Sequence, residues 1–130
     1  MKHLRHHNLA AWKYADELFF AVHRVILQQF PRSERYELSS QLRRAALSVP
    51  ANIAEGFAYA TQGERRQFLR TASASLVEAD YYLSIADRLD YLDEAARNEL
   101  ERLTRLSASA LSGLLATLPP KRGTRGTERS

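Results

Sequence analysis

The sequence predicts an all-α protein, an antiparallel up-down-up-down four-helix bundle, and three observations carry that prediction. Apolar residues recur at three- and four-residue steps along four separate segments. Short punctuation divides those segments, at Pro31, at Thr61 and at Asp93. No stretch alternates with the two-residue period of a half-buried strand.

The first segment runs from Asn8, placed to cap the helix, to Gln29. Leu9, Trp12, Ala15, Phe19, Val22, Ile26 and Phe30 keep helical spacing, while Lys13, Glu17, Arg24 and Gln28 line the opposite side. Asp16 and His23 fall among the apolar residues, seven apart on one side. They are either a buried polar pair serving a site or groups bonded to a neighbouring helix or subunit, because buried polar groups need partners. The structural role is the expectation. Pro31 ends this helix, since the residue before a proline disfavours helical geometry.

The second helix is predicted over about Glu34–Tyr59, with Ser33 as a cap, and everything else is organised around it. At about 100° per residue its Leu38, Leu42, Ala45, Val49, Ile53 and Phe57 form one apolar stripe. Leu47, Ala51, Ala54 and Ala58 make a second, mostly small face. Gln41, Arg44, Ser48, Asn52, Glu55 and Tyr59 run between them. One bundle core buries only one apolar face, so Leu47, Ala51, Ala54 and Ala58 are the expected oligomer interface. Pro50 removes one backbone hydrogen bond and crowds the Ala46 carbonyl. The stripe keeps its phase from Val49 to Ile53, which favours one helix kinked at Pro50 over two broken ones.

Thr61 and Glu64 have the spacing of a capping box and start the third helix. Phe68, Ala72, Leu76, Ala79, Leu83, Ala86 and Leu89 carry its stripe. Asp93 caps the fourth helix, where Ala96, Leu100, Leu103, Ser107, Ala110 or Leu111, and Leu114 face inward. Pro119 and Pro120 stop it. The chain therefore divides into an N-terminal extension (1–8), a bundle (9–118) and a basic tail (119–130) expected to be disordered.

The stretch QLRRAALSVPANIAEG, with FPRSERYEL before it and FLRTASASLVEAD after it, resembles the 23S rRNA intervening-sequence protein family of small bacterial proteins. The resemblance extends from about Leu9 to Leu118. It implies a four-helix bundle, ring-shaped homo-oligomers, with a pentamer the expected form, and association with nucleic acid. It implies no established biochemical activity. A more distant similarity is to the accessory protein of diversity-generating retroelements, which shares the bundle and binds a reverse transcriptase and nucleic acid. No local signature places this chain among those accessory proteins.

Composition narrows the function classes. The chain of 130 residues suits one domain. The absence of cysteine excludes disulfides, zinc–thiolate sites and thiol nucleophiles. No segment reads as a signal peptide or a membrane span, and a cytoplasmic location is expected. Net charge is +4, with +3 of it in the tail from Pro119, so the body is close to neutral.

No Glu-x-x-His pair suggests a di-metal bundle site. His3, His6 and His7 are read as a solvated cluster, and no metal or cofactor is expected. Asn52 and Glu55, with Arg44, could form a hydrolytic set; the expectation is that they bridge helices or subunits beside Pro50, bonding the carbonyl that it frees. No phosphate loop or nucleophile motif occurs, and the protein is read as not an enzyme. The basic residues carry more. Only Lys2, Lys13 and Lys121 of the 19 basic residues are lysine, and arginine suits bidentate contacts with phosphate. Arg43, Arg44, Arg65, Arg66 and Arg70 in the body, and Lys121, Arg122 and Arg125 in the tail, are the candidate nucleic-acid contacts. The expected function is a non-enzymatic oligomeric scaffold that binds RNA, DNA or a nucleic-acid-handling partner. The alternative is a protein-interaction module without nucleic acid.

Overall fold

The computed structural model describes residues 5–34, 37–58 and 61–119. Helices α1 (Ala10–Gln29), α2 (Leu38–Gly56), α3 (Gln62–Arg88) and α4 (Glu94–Ala116) pack in cyclic order, each beside the next and α4 beside α1. No strand occurs among the described residues. Arg5–Asn8 and Arg32–Glu34 add short 3-10 turns. Of the expected features, the tail with Lys121, Arg122 and Arg125, and the residues His3 and Tyr59, lie outside the described residues.

The core forms where the four predicted stripes meet, and it takes in residues beside them. Leu18, Val22, Leu42, Val49, Ile53, Leu69, Leu103 and Leu111 are almost completely buried. The buried arc is wider than one stripe because each helix touches two neighbours. Thus α1 also buries Ala11, Leu18, Ala21 and Val25. On α3 the expected Ala72, Ala79 and Ala86 are fully inside and so is Leu69, while the expected Phe68 is half-buried and Leu89 lies half exposed beyond the helix end.

Helix α2 continues through Pro50, so two broken helices are excluded; continuity alone does not establish a kink. Where α2 ends, Gly56 lets it approach α3: a Cβ there would sit 3.3 Å from that of Phe68.

Two caps are formed as predicted. Thr61 accepts the Glu64 amide at 3.2 Å, although the Glu64 carboxylate takes the Thr61 hydroxyl rather than a backbone amide. Asp93 accepts the Ala96 amide at 2.8 Å. The other two starts differ. Asn8 falls inside a 3-10 turn closed by the Leu9 amide on the His6 carbonyl, so Leu9 occupies the cap position of α1 without a side-chain bond. Ser33 is likewise spent in a 3-10 turn and does not cap α2, which begins four residues later than expected behind Glu37.

The end formed by the α1–α2 and α3–α4 connections is tied across. The Gln29 side chain receives the Asp93 amide at 2.8 Å and donates to its carboxylate at 3.1 Å. The Tyr91 hydroxyl donates to Glu34 at 3.0 Å, and its ring lies 5.3 Å from that of Phe30. Burial, reinforced by that hydrogen bond, raises the Tyr91 phenol above its ordinary pKa.

Candidate nucleic-acid interface

The bundle topology sorts the charged residues by end. α1 and α3 begin, and α2 and α4 finish, at the same end of the molecule. That end holds Arg5, Lys13, Arg65 and Arg66 against Glu55 and Glu64; about two turns further in, Arg70 on α3 lies at the depth of Asp16 and Glu17 on α1. The opposite end holds Glu34, Glu37, Asp87, Asp90, Asp93 and Glu94 against Arg32, Arg88 and Arg97. Among the described residues the bundle therefore has a basic pole and an acidic pole. Pro119, which precedes the basic tail, also follows α4 at the basic pole.

Arg65 is the most fixed of the candidates. Its Nε donates to the Gly56 carbonyl at 3.1 Å, and its guanidinium carbon lies 4.2 Å from the centre of the Phe57 ring. This latch satisfies a carbonyl at the end of α2 and joins it to the start of α3. The two terminal nitrogens of Arg65 make no hydrogen bond among the described residues. Arg66 is half-buried and Arg70 exposed, one helical turn apart.

Arg43 and Arg44 lie elsewhere. The contacts of Ser48 with Ser75 and of Gly56 with Phe68 set the antiparallel register of α2 and α3. That register puts Arg43 and Arg44 about 20 Å along the axis from Arg66, at 1.5 Å per residue. They also point apart: Arg44 is exposed, whereas Arg43 is half-buried with its Nε shielded and unbonded. The five arginines are thus not one patch: the basic pole takes Arg65 and Arg66, with Arg70 one turn beyond them along α3.

The remaining polar candidates form no acid–base constellation. Asn52 donates to the carbonyl and hydroxyl of Ser48 at 2.8 and 2.9 Å. The Ser48 hydroxyl meets that of Ser75 at 2.8 Å, so the string crosses from α2 to α3. The Asn52 bond expected to the Ala46 carbonyl goes to Ser48 instead, because an i,i−4 reach brings that carbonyl under the amide. Glu55 is exposed. Asp16 and His23 are both half-buried and make no bond to each other. His23 lies parallel to the Phe19 ring at 6.3 Å. Burial, aided by Glu17 and opposed by His7, raises the Asp16 carboxyl above the usual aspartate value.

His6 and His7 gather on Trp12, with ring centres 5.0 and 4.8 Å away. No group of metal-ligating side chains forms among the described residues. A cleft of about 250 Å³ opens between α3 and α4, where Arg97 pairs with Asp87 at 2.6 Å.

The expected interface face is outward on the single chain. Leu47 is 51% exposed, Ala51 and Ala58 are exposed and Ala54 is half-buried. Sequence reasoning missed Phe20 and Leu27, exposed on the side of α1 away from the core, and Val77 and Tyr81 on α3. The pairs are spaced seven and four residues apart, a signal hidden by the stronger core stripes.

Residues 7–113 match the 23S rRNA-intervening sequence protein family. The chain belongs to that family. Among solved structures, it is similar to a protein of unknown function from the S23 ribosomal protein family of Bacteroides thetaiotaomicron, at 17% identity and a TM-score of 0.75. The match covers 82% of this chain and 99% of the other, and shows a shared fold. No curated protein matches the chain. Nothing in the description of this intervening-sequence protein family names an enzymatic activity. No helix among the described residues is long and apolar enough to cross a membrane.

Proposed function

We propose that this family member is a non-enzymatic, self-assembling helical scaffold that holds nucleic acid through arginine–phosphate contacts at its basic pole. The observation that carries the reading is the gathering of Arg5, Arg65 and Arg66 at one end, with Arg70 two turns along α3, while the connections at the other end are mostly acidic. Phosphate contacts of this kind supply affinity without much base readout. Assembly is supported by Leu47, Ala51, Ala54 and Ala58, which the chain leaves largely uncovered, and by Phe20 and Leu27 on the adjacent helix. A closed ring, a pentamer in particular, would repeat the basic pole around one rim.

Size-exclusion chromatography with light scattering, run with and without RNA, tests both parts. The assembly reading expects a mass several times 14.8 kDa and fails if the chain scatters as a monomer at micromolar concentration. The binding reading expects affinity to fall with salt, at a log–log slope of about −0.7 to −0.9 per phosphate neutralised. A protein that assembles but binds neither RNA nor DNA at low salt would be a protein-interaction module. The exposed Val77 and Tyr81 favour that second reading, because they add apolar surface outside the basic pole.

A further inference from the structure

We infer that the outer face of α3 is the counterpart of the α1–α2 seam: Val77 and Tyr81 of one copy cover Leu27 and Leu47 of the next, and Asp80 pairs with Arg43. This rests on the assembly reading above and names the surface that the second copy supplies.

The seam is located by where its two helices turn their other flanks. On α2, Ser48 meets Ser75 and Gly56 meets Phe68, so that flank faces α3. At about 100° per residue, Arg43 and Leu47 lie on the other flank, toward α1. On α1, Arg24 turns toward α4, where the Glu99 carboxyl is lowered below its ordinary pKa by its bond to Arg102 and further by Arg24. Phe20 and Leu27 stand outward on the next row, on the side of α2. Counted in from the α1–α2 connection, Leu27 and Arg43 lie at roughly 5–8 Å and Phe20 and Leu47 at roughly 14 Å, at 1.5 Å per residue.

Arg43 leaves the seam incomplete in a single chain. It is half-buried, its Nε is shielded, and it makes no hydrogen bond or ion pair among the described residues. A shielded cation calls for a counter-charge. Neither helix supplies one at that depth, since α1 has no acid after Glu17 and α2 none before Glu55.

The outer face of α3 holds the complementary set. Val77 is 71% and Tyr81 57% exposed, one turn apart along the helix. Asp80 is exposed beside Val77, three residues on, with no hydrogen bond or ion pair among the described residues. Glu78, bonded to the Tyr82 hydroxyl, flanks the stripe on its other side. Arg70 and Arg88 stand about 10 Å beyond either end, so the middle of the stripe is apolar and acidic. Two copies related by a twofold axis through the seam would turn arginine toward arginine and leave Val77 and Tyr81 in water. A contact between unlike faces covers both apolar surfaces and leaves each copy one of each to pass on, which is how a ring closes.

Light scattering on the full-length protein at several concentrations tests the pairing. Val77→Glu should dissociate the assembly, although it lies on a different helix from the small-residue face. Arg43→Asp and Asp80→Arg should each raise the concentration of half-dissociation by about tenfold or more, because each sets like charges against one another. The double variant Arg43→Asp, Asp80→Arg restores an unlike pair and should recover most of that loss, with the circular dichroism spectrum helical throughout. An assembly indifferent to Val77→Glu or to Asp80→Arg overturns this inference alone and leaves the α3 face to another protein. A double variant no better than its singles overturns it as well. If the unaltered chain scatters as a monomer, the assembly reading itself fails, and this inference with it.

Discussion

Asp90 occupies the left-handed region, with φ of 61°, directly after α3. The Asp90 amide bonds the Asp87 carbonyl and the Tyr91 amide bonds the Ala86 carbonyl at 2.9 Å, the pairing of a Schellman stop. Glycine normally fills this position because a Cβ is crowded there. Asp90→Gly should therefore stabilise the protein by about 0.5–1 kcal/mol, after allowing for the greater freedom glycine gives the unfolded chain. Thermal unfolding should show a rise of a few degrees. Asp16 yields a prediction of opposite character. Its carboxyl is held above the ordinary aspartate value, chiefly by burial, so the folded state binds that proton more tightly than the unfolded chain does. The resulting stability is complete below the unfolded value of about 3.9 and is lost as pH rises through the folded value. Asp16→Asn should accordingly be more stable than the parent at neutral pH, and the advantage should vanish in acid. Denaturant titrations at several pH values would show an unchanging difference if burial of Asp16 were irrelevant.

The caps separate local from long-range stabilisation at the scale of elements. Thr61→Ala removes a bond within one helix turn and should cost about 1 kcal/mol. Asp93→Ala removes a cap and also a partner of Gln29, so its loss should be larger, about 1–2 kcal/mol. Equal losses in chemical denaturation would mean that the Gln29 contact adds nothing. On α2, Ala54→Glu places a charge on the uncovered small-residue face and should dissociate the assembly while far-ultraviolet ellipticity stays helical. Light scattering on that variant is the check. The helices themselves were readable because a 3.6-residue period, a capping box and an unbroken phase across Pro50 are local properties. The single stripe through α3 points to Phe68 and not to Leu69, because one stripe underestimates the arc that two neighbours bury. Arg65 was legible as a cation but not as a latch, since its partners Gly56 and Phe57 come close only when α2 and α3 pack. The separation of Arg43 and Arg44 from the other arginines needed the register of that same pair.

Charge separation is a property of the whole molecule that no sequence window contains, because each pole is assembled from distant segments. It predicts where reversal of charge will act. Arg66→Glu with Arg70→Glu should weaken RNA binding severalfold and flatten its salt dependence by about one or two phosphates. Arg44→Glu, a third of the way along α2 and nearer the acidic end, should do much less. Removing residues after Leu118 tells whether the bundle suffices: retained binding assigns it to the pole, and complete loss assigns it to the tail. A binding curve for Arg44→Glu as impaired as that of the double variant would contradict a polar site. The two ends also differ in how they are fastened. Both connections at the acidic end are tied by Gln29 to Asp93 and by Tyr91 to Glu34, while Arg65 on Gly56 joins α2 to α3 at the other. Thermal openings should accordingly start where the termini lie and travel inward. Amide protons of the first turns of α1 and α3 would exchange with deuterium sooner than those flanking Phe30 and Tyr91, and bound RNA would slow the early-exchanging set first.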